Sequence, residues 1–502
     1  MRTTTTLLLL LFISIHAFAF TLEVGSGYPY STLEQAAAAA VPGDTILVHS
    51  GTYDGGIYIG DLQGTSSTWI HILAAPGETV IFDGGTNAWQ FTDAAFLEIR
   101  GFIFEHQTGN GLNFDDGGSY ETPTHHILFA DCTFRDMDAI GNNDLLKLSG
   151  LDNFEITNCI FLNGAAGGSG IDMVGCHDGI IKNNSFENLG SNSIQAKGGT
   201  RNIEITRNFF KNGGARAVNL GGSTGLQFFR PLDAPYESAD LKVYANIFIG
   251  SEAPVAYVGT INTEVVNNTI YLPTKWVIRI LQETVDPERF APCGNNTFRN
   301  NIIFLDERSS VECNIGPNTA PETFTFSNNL WFHADDAGWP GPNLPVVDSD
   351  NIVGQDPLFV DDNNDDFNLQ EGSPATGNGY DLENPAFDYT GTSFLTPRSI
   401  GAIEGGIVSG VQGNSKNMIS GIKVWPNPAD NFLQIDADGL ISDYVIVRLQ
   451  TLTGEILIQK ELENIHGESP FIIGVESIAN GLYLLNIEQG GYMKSGKVVI
   501  LK

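Results

Sequence analysis

The stretch SNSIQAKGGTRNIEITRNFFKNGGARAVNLGGSTGLQFFR, residues 191–230, shows the pattern that decides the fold. Short apolar runs such as IEITRNFF and RAVNLGG alternate with turns that contain glycine and asparagine, which is typical of β-strands. The same stretch holds six basic residues and one acidic residue, whereas the whole chain has 25 basic and 59 acidic residues. We therefore predict that residues 191–230 form adjacent coils of a repetitive β-structure and that these coils carry its functional surface.

A strand motif related to IEITRNFF recurs along the chain, with an asparagine or a cysteine at the same place in each copy. These anchor positions lie 22 to 38 residues apart and are Cys132, Cys159, Asn184, Asn208, Asn246, Asn268, Asn301 and Asn329. Self-similarity at this period predicts stacked coils. Because the same bend of successive coils recurs about every 4.8 Å, we expect the asparagines to form a structural hydrogen-bonded ladder. The longest step contains the insertion GGSTGLQFFRPLDAPYESAD, which we expect to form a loop on the binding face.

The segments before and after these repeats complete the pattern. YSTLEQAAAAA predicts a capping helix that ends before Pro42-Gly43, and QDPLFVDDNNDDFNLQEGSPATGNG closes the repeats. Together, the segments resemble secreted right-handed parallel β-helix proteins of the polysaccharide-lyase-like superfamily, which includes pectate, alginate and chondroitin lyases. The resemblance covers residues 20–406 and implies an all-β, single-stranded right-handed parallel β-helix. The same fold also carries hydrolases, epimerases and adhesins, so the fold alone does not name the activity.

The two ends of the chain carry targeting signals. Residues 1–19 predict a signal peptide, with Arg2, the apolar run LLLLLFISI and Ala17-Phe18-Ala19 as the cleavage pattern. Residues 407–420 are typical of a linker, and 421–502 predict a small β-sandwich of alternating strands and turns. The motifs Pro426-Asn427-Pro428, Gly454 and Gly481-Leu482-Tyr483 resemble the C-terminal sorting domain of the Bacteroidetes type IX secretion system. The resemblance implies the type IX machinery as a partner and a secreted or surface-anchored protein, with an ordinary carbohydrate-binding β-module as the alternative.

The amino-acid composition limits the classes of molecule that the protein is expected to bind. The net charge of −34 excludes general binding of nucleic acid, which needs a basic surface. An anionic polymer is expected to bind only where the sign of the charge is locally reversed, and we expect the protein to act on a polysaccharide as a monomer. Five cysteines in a secreted chain of this length are not a disulfide framework. Pairing of Cys293 with Cys313 is left open.

The register of the strands predicts a polar column on the outer surface. Ile194 and Ala196 follow Asn184 at the same distances at which Val218 and Leu220 follow Asn208. If these four side chains point inward, the residues between them point outward, because side chains alternate along a strand. Over four coils the predicted outward column is Lys147, Asp172, Gln195 and Asn219, with Lys197 two residues along. Lys147 with Asp172 also fits a surface ion pair of small energetic value, and Gln195 with Asn219 fits a solvated amide ladder.

Lys197 is the predicted catalytic base. It precedes Gly198-Gly199, where a polymer can approach closely, and it shares the basic stretch with Arg201, Arg216 and Arg230. Neighbouring cations lower the pKa of a lysine, as a general base requires. These residue types fit β-elimination on a uronate polysaccharide, in which Arg216 or Arg201 neutralises the carboxylate and Lys197 removes the adjacent proton. The pairing resembles that of alginate- and chondroitin-type lyases, although the Arg-His-Gly triplet is absent.

Further residues and functions remain as alternatives. The predicted substrate-binding residues are Lys147, Asp172, Gln195, Asn219, Arg230 and Arg279. We assign no metal ligands, and the cofactor stays open with calcium as a candidate, because DDNNDDFN, residues 361–368, fits either a calcium loop or a solvated acidic turn. A glycoside hydrolase needs two carboxylates, for which Asp172 with Asp144, Asp115, Asp116 or Glu283 are the candidates. A non-catalytic surface protein that binds glycan is the third possibility.

Overall fold

The computed structural model describes residues 19–309, 311–405, 421–426, 429, 431–438, 444–451, 456–463, 471–489 and 492–502. They belong to two compact units, one within Met1–Gly406 and one within Ile407–Lys502. The predicted signal peptide, apart from its last residue, and the predicted linker over 407–420 lie outside the described residues. Within the described part of the chain, no helix has the length and apolar character needed to cross a bilayer.

The first unit is a parallel β-helix in which the chain passes through three long sheets in turn, here named A, B and C. Sheet A contains Thr21–Val24, Thr45–Val48, Ile70–Ala74, Ala95–Arg100, Thr124–Ala130, Leu151–Thr157, His177–Lys182, Thr200–Thr206, Ser238–Ala239, Lys242–Tyr244, Thr260–Ile261, Glu264–Val266, Thr297–Arg299, Thr325–Ser327 and Asp348–Ser349. Sheet B contains Gly51–Asp54, Val80–Asp83, Ile103–Glu105, Thr133–Arg135, Ile160–Leu162, Ser185–Glu187, Phe209–Lys211, Ile247–Ile249, Thr269–Tyr271, Ile302–Leu305, Leu330–His333 and Ile352–Val353. Sheet C contains Ile57–Gly60, Trp89–Thr92, Leu112–Asp115, Leu146–Ser149, Ser169–Val174, Asn192–Lys197, Arg216–Gly221, Ala253–Val258, Ile278–Leu281 and Cys313–Ile315. The predicted right-handed parallel β-helix is confirmed.

The predicted asparagine ladder is also confirmed. At the bend from sheet A to sheet B, Asn184, Asn208, Asn246, Asn268, Asn301 and Asn329 are buried, and each of the first five donates to the side-chain oxygen of the next at 2.9–3.1 Å. We call these six residues the asparagine ladder. Asp348 ends the ladder by accepting from Asn329 and from the Trp331 indole. The terminal position needs only an acceptor, which a carboxylate supplies.

The interior is filled by side chains that repeat at the same place in each coil. The rings of Phe134, Phe161, Phe186, Phe210 and Phe248 stack with centroids 4.6–4.9 Å apart. This spacing matches the distance between hydrogen-bonded strands, so each coil adds one ring to a continuous apolar core. All five cysteines are free and buried, so Cys293 and Cys313 do not pair.

Both ends of the β-helix are covered. The predicted cap is the helix Leu33–Ala39, which begins at the N-cap Thr32 and buries Leu33, Ala36 and Ala37 against the first coils. After the last full coils, Trp339, Leu344 and Val346 pack against the core. The antiparallel pair Phe359–Asp361 and Asp366–Leu369 lies instead on the outer face of sheet B, where Phe359 and Phe367 are buried. Short 3-10 turns lie at Leu226–Phe228, Pro321–Thr323 and Asp362–Asn364.

The second unit is a β-sandwich, as predicted. One antiparallel sheet contains Gly421–Trp425, Phe432–Asp438 and Phe471–Gly474, and the other contains Ile456–Glu463, Tyr444–Thr451, Gly481–Gln489 and Tyr492–Ile500. Its core includes Leu433 from the first sheet with Val447, Leu485 and Val498 from the second. Of the sorting-domain motifs, Asn427, Pro428 and Gly454 lie outside the described residues.

Candidate functional site

The outer surface of sheet C carries a continuous column of mainly polar residues, one from each of nine successive strands. Direct pairing between neighbouring strands places Gln90, Asn113, Lys147, Asp172, Gln195, Asn219, Ala256, Arg279 and Asn314 in register. We call this set the sheet C column. The predicted order of Lys147, Asp172, Gln195 and Asn219 is confirmed, and Lys197 lies two residues along from Gln195 in the same strand. Together with Lys197 and Arg216, which lie in two of the same strands, the column brings seven of the nine predicted site residues to one face or its margin.

An ion cluster lies at the centre of the sheet C column. The Lys147 ammonium contacts Asp172 directly and lies 3.6 Å from Asp144. Lys197 Nζ lies 3.1 Å from Asp172 Oδ1 and donates to Gln195 Oε1 at 3.1 Å. Two lysines thus share the Asp172 carboxylate, while Lys147 also approaches Asp144.

The two carboxyl groups of this cluster have opposite pKa shifts. Burial raises the pKa of Asp144 to about 6, and the nearby charge of Asp172 adds to the effect. For Asp172, burial alone would also raise the pKa, but Lys147 and Lys197 outweigh burial and hold it below the usual value. Asp172 therefore keeps its charge to lower pH than an ordinary aspartate, whereas Asp144 keeps its proton to higher pH.

The outward residues are less exposed than the sequence indicates. Asp172 is fully buried and Asn219 is 2% exposed, since the long side chains of Lys147, Lys197 and Arg216 lie against them. The pair of Lys147 with Asp172 is therefore not a solvent-exposed ion pair, and a buried charge of this kind requires its partner. The immediate charged neighbour of Lys197 is a carboxylate and not the cations that the sequence suggests.

Arginines extend the face beyond the ion cluster. Arg216 donates to Asn219 Oδ1 at 3.2 Å and pairs with Glu283 at 2.7 Å. Arg279 donates to Asn314 and stacks over the Trp276 ring at 4.4 Å from its centroid. Burial and the neighbouring charge of Arg216 lower the pKa of Arg279. Two half-buried guanidinium groups therefore lie close together on the face, with a tryptophan beside them.

Two predicted site residues lie elsewhere. Arg201 is exposed in the sheet A strand Thr200–Thr206, where it is in register with His177. Arg230 is 7% exposed, and its guanidinium holds both Asp152 oxygens at 2.7 and 3.0 Å. Although burial opposes it, bonding from His177 and Arg230 lowers the pKa of Asp152 to about 2. Arg230 thus fixes the insertion to sheet A and has no free donor pair for a substrate carboxylate.

The structure adds residues that sequence reasoning missed. Gln90 donates to Asp115 Oδ2, and Asn113 donates to Gln90, so an amide and acid group continues the face above Lys147. Glu237 is fully buried and accepts from the backbone of Gly198 at 2.9 Å and of Thr224 at 3.0 Å. Extending the register to WQFT and LNFD would have found Gln90 and Asn113, and would have placed them beside Asp115, which the sequence already offers as a candidate carboxylate. Nothing in the sequence marks Glu237, because its partners come from three separate segments.

One group of the described residues has the proximity needed for a metal ion, and it lies away from sheet C. Asp83, Glu105 and His106 meet where sheet B strands end. The Glu105 carboxylate already pairs with Arg135 at 2.7 Å, and a hydrogen bond to Asp83 is the main reason that the pKa of His106 is raised. In the acidic run 361–368, Asp365 pairs with Lys211 and Asp362 accepts from Tyr271. These contacts give the run a structural role against sheet B.

Comparison with known proteins identifies both units. Residues 84–339 match a family model described as right-handed beta helix region, and residues 423–501 match one described as secretion system C-terminal sorting domain. A pectate lyase structure matches with a TM-score of 0.50 and 13% identity, covering 78% of this chain and 98% of the lyase. An alginate lyase from Paenibacillus sp. str. FPU-7 matches with a TM-score of 0.40 and 15% identity over 67% of this chain and 99% of that chain.

A lacto-N-biosidase from Eubacterium ramulus is also similar, with a TM-score of 0.42 and 11% identity over 67% of this chain and 68% of that chain. No curated protein matches the sequence. At these identities the structural matches report the shared fold, and the chemistry must come from the residues of this chain.

Proposed function

The chain belongs to the right-handed β-helix region family and its sorting domain makes it a secreted or cell-surface protein handled by type IX secretion; on this premise we propose that it acts on a polysaccharide. The observation that supports this proposal is the sheet C column, which aligns lysine, carboxylate, amide and arginine side chains over successive coils. Strands in a sheet lie about 4.8 Å apart, so a polymer lying across them meets a new side chain at each coil. The substrate is an anionic glycan, and the protein acts as a monomer.

The reaction is β-elimination at a uronate residue. Arg216, supported by Arg279, neutralises the uronate carboxylate and so acidifies the adjacent C–H bond. Lys197 turns from Asp172, releases its own proton to water and then takes the substrate proton. The C–H electron pair forms a carbon–carbon double bond, and the glycosidic C–O bond breaks. The departing oxygen leaves with the bonding electrons and takes a proton from water. Of the predicted carboxylate partners, Arg216 lies on this face and Arg201 does not, so Arg216 carries this role.

Lys147 and Asp172 are positioning residues. Lys147 contacts Asp172 directly, so the buried carboxylate keeps one cationic partner when Lys197 turns toward a substrate. Gln195 and Asn219, next to Lys197 and Arg216, offer amide groups to sugar hydroxyls. In this division of roles Asp172 holds Lys197 in place before the reaction, and the pair of Lys147 with Asp172 stays intact during turnover.

A hydrolase on the same face is the second candidate, because one specific observation favours it. Asp144, with its pKa raised to about 6, and Asp172, with its pKa lowered, are a pair of carboxyl groups with separated acid and base character. Their burial weighs against direct contact with a sugar, since Asp144 is 1% exposed.

A screen of the purified protein against a panel of uronate glycans tests the proposal. Absorbance of the unsaturated product in the ultraviolet supports the lyase. New reducing ends without absorbance support the hydrolase, and binding without either product supports a non-catalytic surface protein. Absence of both binding and turnover on the whole panel contradicts polysaccharide action.

A further inference from the structure

An exposed apolar surface lies beside the ion cluster and is not used by the proposed reaction. It consists of Leu226 and Phe228 from the insertion between sheets C and A, and Tyr120 from the preceding loop on the same side. Phe228 is 61% exposed, Leu226 48% and Tyr120 38%. We call these three residues the apolar wall. Tyr120 Oη donates to the Gln227 carbonyl at 3.2 Å, so the two loops are joined at the wall.

The insertion that carries the wall is firmly anchored by its inner side. Phe229, next to exposed Phe228, is fully buried and packs with Ala234 and Phe290. The Arg289 guanidinium lies over the two buried rings, 4.6 Å from the centroid of Phe229 and 4.7 Å from that of Phe290. Adjacent phenylalanines thus have opposite environments, one packed and one exposed, on a loop whose position is fixed.

A second anchor ties the insertion to the strand that bears Lys197. The buried Glu237 carboxylate accepts from the backbone nitrogens of Gly198 and Thr224, at 2.9 and 3.0 Å, and from the Thr224 hydroxyl at 2.7 Å. Gly198 directly follows Lys197 in the chain. A carboxylate that accepts several hydrogen bonds inside the protein fixes the relative position of the segments it joins.

The wall is continuous with the surface around Lys197. Gly222, which has φ +155°, approaches two side chains of the site closely. A Cβ atom added to this glycine would lie 3.3 Å from Lys197 Cδ and 2.6 Å from Gln195 Nε2. A Cβ atom on Gly225 would lie 3.2 Å from Phe228 Cδ2, so the Phe228 ring folds back over the start of the insertion. Lys197 and the Phe228 ring thus lie against the two ends of one short segment, residues 222–225.

We propose that the apolar wall stacks against a sugar ring next to the one held at Lys197, and that Phe228 is the main contact. This inference rests on the proposed action on a polysaccharide. A pyranose ring has an apolar face of C–H groups, and aromatic side chains provide rigid contact area with little loss of conformational entropy. The charged groups of sheet C bind the carboxylates of the polymer, while the wall binds the ring face that carries no charge. The occupant is the same glycan chain, because the wall adjoins Lys197.

Phe228→Ala tests the wall, with Phe228→Tyr as the conservative variant and Phe387→Ala as the matched control. Phe387 is 52% exposed and lies within residues 380–401, whose Tyr380 and Gly401 carbonyls accept from Asn300 and Asn267 at the bend from sheet A to sheet B. Affinity electrophoresis in gels that contain the glycan and the KM of turnover are measured for each full-length protein. We expect Phe228→Ala to raise KM about 5- to 30-fold with a smaller change in kcat, and Phe228→Tyr and Phe387→Ala to behave like the wild type.

The outcomes separate the two proposals. If the wild type binds and cleaves a glycan and Phe228→Ala has the same KM and mobility, the wall is not a sugar-binding surface although the proposed function stands. If the wild type neither binds nor cleaves any glycan of the panel, both proposals fail. If Phe228→Ala changes only the molar mass of the protein in light scattering, the wall is an interface between copies and the inference is overturned. A melting temperature of Phe228→Ala equal to that of Phe228→Tyr excludes misfolding as the cause of a loss.

Discussion

The asparagine ladder and the sheet C column are built by the same register but have opposite character. Both take one residue from each successive coil. The ladder repeats one residue type, is buried, and satisfies each amide by its neighbours. The column changes from amide to lysine, acid, amide and arginine along its length. In this β-helix, repetition stabilises the coil, and departure from repetition marks the surface that we propose to be functional.

Energetics explain why the two columns differ. A ladder of identical amides supplies a donor and an acceptor at every step, so no buried polar group is left over. A column of mixed charges must pair specific neighbours, as Asp172 does with Lys147 and Lys197. Such a cluster is costly to bury and is weak support for stability. Its presence on the outer face of sheet C therefore requires an explanation other than folding.

The largest effect on folding is expected in the ladder. Asn246→Ala removes the acceptor for Asn208, at 2.9 Å from its backbone nitrogen, and the donor to the Ile205 carbonyl. Since each unsatisfied buried group costs about 1–3 kcal/mol, we expect a loss of roughly 3–5 kcal/mol in the free energy of unfolding. Urea unfolding followed by circular dichroism measures it. The control variant Asn314→Ala in the sheet C column should lower the free energy of unfolding by less than about 1 kcal/mol. Equal losses in the two variants would contradict the distinction between the asparagine ladder and the sheet C column.

The ion cluster should respond non-additively. Lys147→Met leaves Asp172 with Lys197 as its remaining cationic contact, and a buried carboxylate with a missing partner is costly. We expect about 1–3 kcal/mol of destabilisation from Lys147→Met. Adding Asp172→Asn should recover part of it, because the second change removes the charge that lost its partner. Strictly additive losses in urea unfolding would show that the cluster does not act as a unit.

The end of the ladder should give a pH dependence of stability. Burial raises the pKa of Asp348 to about 6. Between about pH 4 and pH 6 the folded protein therefore keeps a proton that the unfolded chain has lost. The stability that the folded protein gains from holding this proton is fully present below about pH 4, the usual carboxyl range, and is lost as the pH rises through about 6. Asp348→Asn removes the titration and should stabilise the protein by roughly 1–3 kcal/mol at pH 7 relative to pH 4. Thermal melting of both proteins at the two pH values measures the difference, and parallel profiles would contradict it.

The smallest effect is expected from the arginine end of the sheet C column. Arg216→Gln removes a charged donor and should weaken glycan binding about 5- to 20-fold, with little change in melting temperature. Glu283 already occupies Arg216 Nη2 at 2.7 Å and competes with a substrate carboxylate. Glu283→Gln should therefore tighten binding two- to fivefold in affinity electrophoresis. Tighter binding in Arg216→Gln would show that the carboxylate binds elsewhere.

The sequence predicts most of the fold because the β-helix is built from local repeats. The spacing from Asn184 to Asn329 sets the coils, and the alternation around Ile194 and Val218 sets the register that places Asp172 above Gln195. Each coil contacts mainly its neighbours, so a repeat in sequence translates directly into a column in space.

The site is predicted less completely, because its contacts cross from one segment to another. Arg230 lies in the basic stretch by sequence, yet it is buried against Asp152, 78 residues earlier in the chain. Lys197 and Arg201 are four positions apart but lie in different sheets, since the chain turns from sheet C to sheet A between them. Glu237 is joined to Gly198 across 39 residues. Loop insertions and turns decide these contacts, and the repeat carries no information on them.

Turnover by Lys197→Ala tests the central claim, that the sheet C column is a catalytic face and not a second structural ladder. Loss of a general base should reduce kcat by about 10²–10⁴-fold on the glycan that the wild type cleaves. Affinity should stay within a few-fold of the wild type, and the loss of stability should not exceed that of Lys147→Met, because Lys147 still contacts Asp172. Lys197→Arg should not restore turnover, since a guanidinium stays protonated. Full activity in Lys197→Ala would contradict the account.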